Sequence, residues 1–74
     1  MEDYREKISR LPDERLNELA KVYLKTIASL EEQYNLAVKV AMTTIADYTK
    51  GEIEKKQAEL KQIEAILNQH RQDQ

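Results

Sequence analysis

The chain has 74 residues and no cysteine, and its 12 basic and 14 acidic residues give a formal net charge of −2. This length allows one domain at most, and the lack of cysteine excludes both a disulfide and a thiolate metal site. The charges are nearly balanced along the chain, which argues against a surface specialised for a polyanion such as nucleic acid. One glycine and one proline leave little room for loops or strands, so the composition favours an all-helical domain.

The first predicted element is a short helix over about residues 2–9. Tyr4, Ile8 and Leu11 recur at intervals of four and three residues, which places them along one edge of a helix. A helix of this length is not stable alone in water, so we expect it to dock on the rest of the chain. Pro12 separates it from the second element, because a proline pushes the preceding residue out of the α region.

The second predicted element is a long helix over about residues 12–48. Pro12 suits an early helical position, and Asp13 and Glu14 lie where the helix dipole favours acids. An apolar stripe then alternates spacings of four and three residues, a coiled-coil-type repeat that calls for a partner helix. The stripe consists of Leu16, Ala20, Tyr23, Ile27, Leu30, Tyr34, Ala37, Ala41, Thr44 and Tyr48, of which only Thr44 is polar. A break at Asn35 is an open alternative, since asparagine tolerates the left-handed conformation that ends helices.

The third predicted element is a helix over about residues 50–69, reached through a turn at residues 48–51. Thr49 and Glu52 have the spacing of a capping box, in which the side chains of the first and fourth residues satisfy exposed backbone N–H groups. Gly51 lies beside them and permits a tight reversal of the backbone. These signals agree on a new helix near residue 50.

Together these elements predict a single all-α domain over residues 1–74. We expect an antiparallel helical hairpin with a short N-terminal helix, pairing into a dimeric four-helix-type bundle. The final helix is too short to cover the long one, and apolar residues occupy nearly every helical face between residues 36 and 46. The residues expected in the core or in the self-association interface are Leu16, Leu19, Tyr23, Ile27, Leu30, Tyr34, Ala37, Ala41, Ile45, Tyr48, Ile53, Leu60, Ile63 and Leu67.

Side chains suited to catalysis or metal binding are scarce. His70 is the only histidine, and it lies in a polar tail, residues 70–74, that we expect to fray with the imidazole in solvent. No Glu-x-x-His pair, His-x-x-x-His pair or glycine-rich phosphate loop is present, although metal and nucleotide sites in helical and α/β proteins often use them. We therefore expect no enzyme, no catalytic residue, no metal and no cofactor.

The function that the sequence favours is a small interaction protein, a homodimer that acts as a regulator, inhibitor or adaptor of another protein. The alternative is a dimeric nucleic-acid-binding regulator. That alternative is weaker because Lys50, Lys55 and Lys56 alternate with acids, which is typical of a solvated helix face. The longest weakly charged run, residues 35–46, is shorter than the roughly 20 residues that a membrane span needs. With no visible secretory signal, we expect a cytoplasmic protein without a membrane partner.

Overall fold

A computed structural model describes residues 4–72 of the chain as three helices. These are α1 (Tyr4–Ser9), α2 (Asp13–Lys39) and α3 (Thr43–Gln72). Between residues 4 and 72 there is no strand, which confirms the all-α class. At about 1.5 Å per residue α2 and α3 are each roughly 40–45 Å long, and they set the long dimension of the molecule, 50 Å.

The two long helices pack against each other in an antiparallel pair. At one end His70 Nδ1 of α3 lies 2.5 Å from Asp13 Oδ1 of α2. Ten residues further along α2, the Tyr23 hydroxyl donates a hydrogen bond of 2.8 Å to Glu59 Oε2. Residue numbers thus rise on α2 as they fall on α3, by 10 residues (13 to 23) against 11 (70 to 59) between these two contacts. This register continues to the other end, where Ala37 and Ala46 line the same groove and are both buried.

The largest buried cluster lies where all three helices meet, and we call this region the three-helix end. Its buried members are Ile8, Leu16, Ile63, Ile66 and Leu67. Leu16 and Ile63 are completely inaccessible to solvent, and Ile8 of α1 is 3% exposed. Burying a side chain of this size stabilises the fold by about 1.5–3 kcal/mol relative to leaving it in water. The short helix α1 is therefore held in place by packing, as its length requires.

A turn at residues 40–42 joins α2 to α3. The Met42 N–H donates to the Ala37 carbonyl at 2.8 Å, and the Ala41 N–H donates to the Val38 carbonyl at 3.1 Å. These two bonds define a Schellman motif, in which the residue after the helix cap adopts the left-handed conformation. That residue is Ala41, with a φ of 61°. Glycine is the usual choice there, because the left-handed conformation costs an L-residue about 1–2 kcal/mol.

The structure corrects the predicted helix boundaries. The helix expected over residues 12–48 ends at Lys39, passing through Asn35 without a break, and the next helix begins at Thr43 rather than near residue 50. A Thr-x-x-Glu spacing also occurs in helix interiors, and the Thr49 hydroxyl in fact donates to the Ile45 carbonyl one turn back, at 2.8 Å. The turn was not predicted because it is only three residues long, 40–42, and the spacing of the heptad repeat continues through it.

The last helix also extends further than expected. The tail predicted to fray is helical as far as Gln72, and His70 is half-buried against Asp13 instead of solvated. Basic side chains near a helix C-terminus interact favourably with the helix dipole, which helps to explain the added turn. Residues 2–3 of the first predicted helix and residues 73–74 of the predicted tail lie outside the part of the chain that the structure describes.

Candidate interaction surface

The end opposite the three-helix end is formed by residues 36–48, and we call it the hairpin tip. It contains the last turn of α2, the Schellman turn and the start of α3. Ala37 and Ala46, the buried residues between the helices here, are 4% and 5% exposed. Methyl groups let two helices approach closely but bury little apolar area. The larger apolar side chains of the tip consequently lie outside the contact between α2 and α3.

Large apolar side chains at the hairpin tip are at least half exposed. Eight large apolar side chains are exposed in the described part of the chain, and six of them belong to the tip. These six are Leu36, Val38, Val40, Met42, Ile45 and Tyr48. Apolar residues scattered singly on a surface are ordinary, whereas a contiguous group indicates a surface that binds another molecule.

Two grooves lie on opposite sides of the hairpin tip. One, of about 320 Å³, we call the tip groove, and it is lined by Gln33, Leu36, Ala37, Val40, Met42 and Ile45. The other, of about 230 Å³, is lined by Tyr34, Ala37, Val38, Ala41, Thr43, Ala46 and Asp47. Leu36 and Val40 are one turn apart and share a side of α2, while Val38, halfway between them in sequence, lies on the other side. Gln33 contributes the polar side chain of the tip groove, so its wall is almost wholly apolar.

Charged side chains flank the tip groove on α2. Glu32 lies four residues before Leu36 and Lys39 three residues after it, so all three share one face of the helix. Glu32 and Lys39 are exposed, and neither forms an ion pair with another described residue. The apolar groove therefore has an unpaired acid beside one end and an unpaired base beside the other.

The residues predicted for the core or for self-association fall into three groups. Buried are Leu16, Ile27, Ala37, Leu60, Ile63 and Leu67; half-buried are Leu19, Tyr23, Leu30, Tyr34 and Ile53; exposed are Ala41, Ile45 and Tyr48. The exposed group does not belong to the core of the single chain, and its part in self-association stays a prediction. All three come after the end of α2, where the turn changes the direction of the chain, so the phase of the heptad repeat no longer predicts which side faces the neighbouring helix.

The predicted set omitted two large residues that the structure buries, Ile8 and Ile66. Ile8 belongs to the apolar edge of the short first helix. Ile66 lies three residues after Ile63 and four before His70, which is the helical spacing of a single buried face. That spacing was the available signal for Ile66, and it also places His70 on the side of α3 that meets α2.

A chain of hydrogen bonds connects one residue from each helix near the three-helix end. The hydroxyl oxygens of Tyr4 and Tyr23 are 2.7 Å apart, and Tyr23 donates to Glu59. The Lys56 ammonium lies 5.4 Å from the centre of the Tyr23 ring, within the range of a cation–π interaction. Burial, together with the hydrogen bonds to Tyr4 and Glu59, raises the pKa of the Tyr23 hydroxyl well above its ordinary value. This arrangement keeps Tyr23 neutral and ties α1, α2 and α3 together.

A metal-type cluster of side chains and a membrane-spanning helix are both absent from the part of the chain that the structure describes. Residues 4–72 contain no group of three or more His, Asp or Glu side chains placed to hold a metal ion. Over the same residues, no helix combines the length and the apolar character that crossing a membrane requires. Comparisons of the chain with protein-family models, curated proteins and solved structures give no match. The exposed apolar tip is thus the feature from which a function can be inferred.

Proposed function

We propose that this chain is a helical protein–protein interaction module, without catalytic activity, that works as a homodimer and acts as a regulator, inhibitor or adaptor of another protein. The proposal includes a cytoplasmic location, as expected from the sequence. The observation that carries it is the hairpin tip, where six large apolar side chains are at least half exposed. Leaving such side chains in water forgoes about 25 cal/mol for every Å² of apolar surface that a partner would cover.

The chemistry of the tip favours a polypeptide partner over a nucleic acid. Between residues 36 and 48 the charged residues are Lys39 and Asp47, one of each sign. Binding to a phosphate backbone depends on several clustered cations, whereas apolar grooves between helices bind the apolar face of an amphipathic helix. The groove that contains Val38 and Asp47 has this mixed character, with an apolar floor and an acid at its edge. It suits a helix of the partner that carries apolar residues and a base.

The proposal is tested by capturing partners from the native host with a tagged chain, after nuclease treatment, and identifying them by mass spectrometry. Val38→Glu is compared with Leu24→Glu, because both residues lie on α2 and are 54% and 56% exposed. We expect the Val38 variant to lose a protein that both the parent chain and the Leu24 variant retain. Equal capture by all three chains would refute the role of the tip. Association that disappears with nuclease and weakens steeply with salt would support the nucleic-acid-binding alternative instead.

A further inference from the structure

We infer that the tip groove is occupied by a second copy of this chain, with the two α2 helices crossing antiparallel about a twofold axis near Leu36. This inference rests on the proposed function, because both require the hairpin tip to dock against a helix. Beyond the proposed function, it identifies the molecule that occupies the tip groove, the orientation of that molecule, and the residues that determine both. The groove that contains Val38, on the opposite side of the tip, stays available to another protein.

The first support is a second heptad stripe on α2. Beginning at Val22, uncharged residues recur at intervals of four, three, four, three and four, and they are Val22, Thr26, Ser29, Gln33, Leu36 and Val40. Thr26 is half-buried and the other five are exposed, so α3 does not cover this stripe. A 3.5-residue repeat keeps one side of a helix against a partner helix over its whole length. Within the single chain that partner is missing.

The second support is the area of the surface. Leu36, Val40, Met42 and Ile45 are each at least half exposed, and together they present on the order of 400 Å², the size of patch that often marks an interface. A standard interface buries about 800 Å² on each partner. An antiparallel copy centred near Leu36 overlaps this one from about Ser29 to the turn, where it also covers the exposed Gln33 and the aliphatic parts of Glu32 and Lys39.

The third support is charge complementarity. A twofold interface brings one surface against itself, so the surface has to complement itself. Glu32 and Lys39 each directly precede a residue of the uncharged stripe and are seven residues apart, which makes them equivalent positions of the heptad. In an antiparallel pair centred near Leu36, Glu32 of each copy faces Lys39 of the other. In a parallel pair, Glu32 and Lys39 would instead face the residues that directly follow stripe positions. Those residues are Leu30 and Ala37, which are uncharged and face α3, so a parallel pair would form no such ion pairs.

The test is a charge exchange, with sedimentation measured at several micromolar concentrations. Glu32→Lys and Lys39→Glu each place like charges across the twofold axis, and each should weaken self-association by about tenfold, equivalent to about 1.4 kcal/mol. An equimolar mixture of the two variants should form a heterodimer of nearly parental affinity. The double variant should recover self-association as well. Leu36→Glu should give a folded monomer by circular dichroism, while Val38→Glu, on the opposite side, should still dimerise.

Several outcomes overturn the inference. A parent chain that stays monomeric at every concentration refutes it, and so does a dimer in which neither the mixture nor the double variant recovers. If protein capture still depends on Val38 in either case, the partner-binding part of the proposed function stands without this dimer. If the charge exchange succeeds and Val38→Glu captures the same proteins as the parent chain, the dimer stands and the partner-binding role fails.

Discussion

The three-helix end and the hairpin tip are built from the same two long helices, yet they treat apolar side chains in opposite ways. At the three-helix end α1 closes over α2 and α3, and branched aliphatic side chains such as Leu16 and Ile63 become fully buried. At the tip two helices meet through alanines, and residues as large as Leu36 and Met42 remain at least half exposed. A pair of helices buries one stripe on each, so a third element decides whether further apolar residues become core or surface.

This difference predicts where the chain is stabilised and where it is available for binding. The short helix α1 performs at one end the covering role that a second copy is proposed to perform at the other. Substitutions at the three-helix end should therefore change the stability of the single chain. Those at the tip should chiefly change association.

The largest effect is expected from a matched pair of substitutions on α2. Leu16→Ala removes a side chain with no solvent exposure, whereas Leu36→Ala removes one that is 62% exposed. We expect the first to lower the free energy of unfolding by about 2–5 kcal/mol, because it leaves a cavity as well as losing apolar burial. The second should lower it by less than about 1 kcal/mol when measured at a concentration too low for association. Urea denaturation monitored by circular dichroism measures both.

The concentration dependence of the same experiment sharpens the comparison. If the tip docks on a second copy, the parent chain gains stability as its concentration rises, and Leu36→Ala removes that gain. Leu16→Ala should keep the gain, since its site lies at the other end. Equal losses for the two variants at low concentration would mean that the two ends do not differ as described.

A smaller effect is expected from Tyr23→Phe, which removes the hydroxyl between Tyr4 and Glu59. Glu59 Oε1 is already buried without a hydrogen-bond partner, and the substitution would take the donor from its other oxygen. Leaving such a group unsatisfied costs about 1–3 kcal/mol. Tyr48→Phe is the control, because Tyr48 is 71% exposed and should change little. Thermal unfolding of both variants tests this, and equal melting temperatures would contradict a role for the hydrogen-bond chain.

The raised pKa of Tyr23 also predicts the behaviour of the chain in alkaline solution. The folded state holds the Tyr23 proton more tightly than the unfolded state, in which the hydroxyl titrates near pH 10. The associated stability is fully present below about pH 10 and is lost as the pH rises towards the pKa of the folded state. The parent chain should therefore lose stability more steeply than Tyr23→Phe above pH 10. Parallel pH profiles for the two chains would show that Tyr23 titrates alike in both states.

Ala41→Gly addresses the turn that creates the tip. Because Ala41 holds a left-handed conformation, glycine should remove a penalty of about 1–2 kcal/mol. Glycine also makes the unfolded chain more flexible, which offsets part of the gain. We expect a net stabilisation of about 1 kcal/mol in denaturant titrations. A destabilised variant would indicate that Ala41 lies within a regular helix, as the heptad repeat predicted.

Sequence reasoning reached the helical class and most of the buried stripe on α2, because periodicity reports which residues of a helix face a neighbour. It missed the turn because the motif at Ala41 uses backbone hydrogen bonds and a residue that gives no local signal. The capping-box spacing at Thr49 and the glycine at position 51 then predicted that the last helix begins near residue 50, whereas it begins at Thr43. The tip could not be recognised as a surface for the same reason. Residues past the turn, such as Ile45, were assigned to a stripe that had already ended.

Gly51→Ala gives the smallest expected effect and the most direct test of where α3 begins. Gly51 lies within α3, is exposed, and has no atom near enough to obstruct an added methyl group. Since alanine favours a helix interior over glycine by about 0.5–1 kcal/mol, the substitution should stabilise the chain by that amount. If residues 48–51 formed a turn that required glycine, Gly51→Ala would destabilise the chain instead.

Combined with Ala41→Gly, this change moves the one glycine of the chain from the helix to the turn, and the two gains should add because the sites share no contact. If the combined variant is less stable than the parent chain, the apolar residues around Leu36 and Ile45 lie within a continuous helix, and the tip as an exposed surface is wrong.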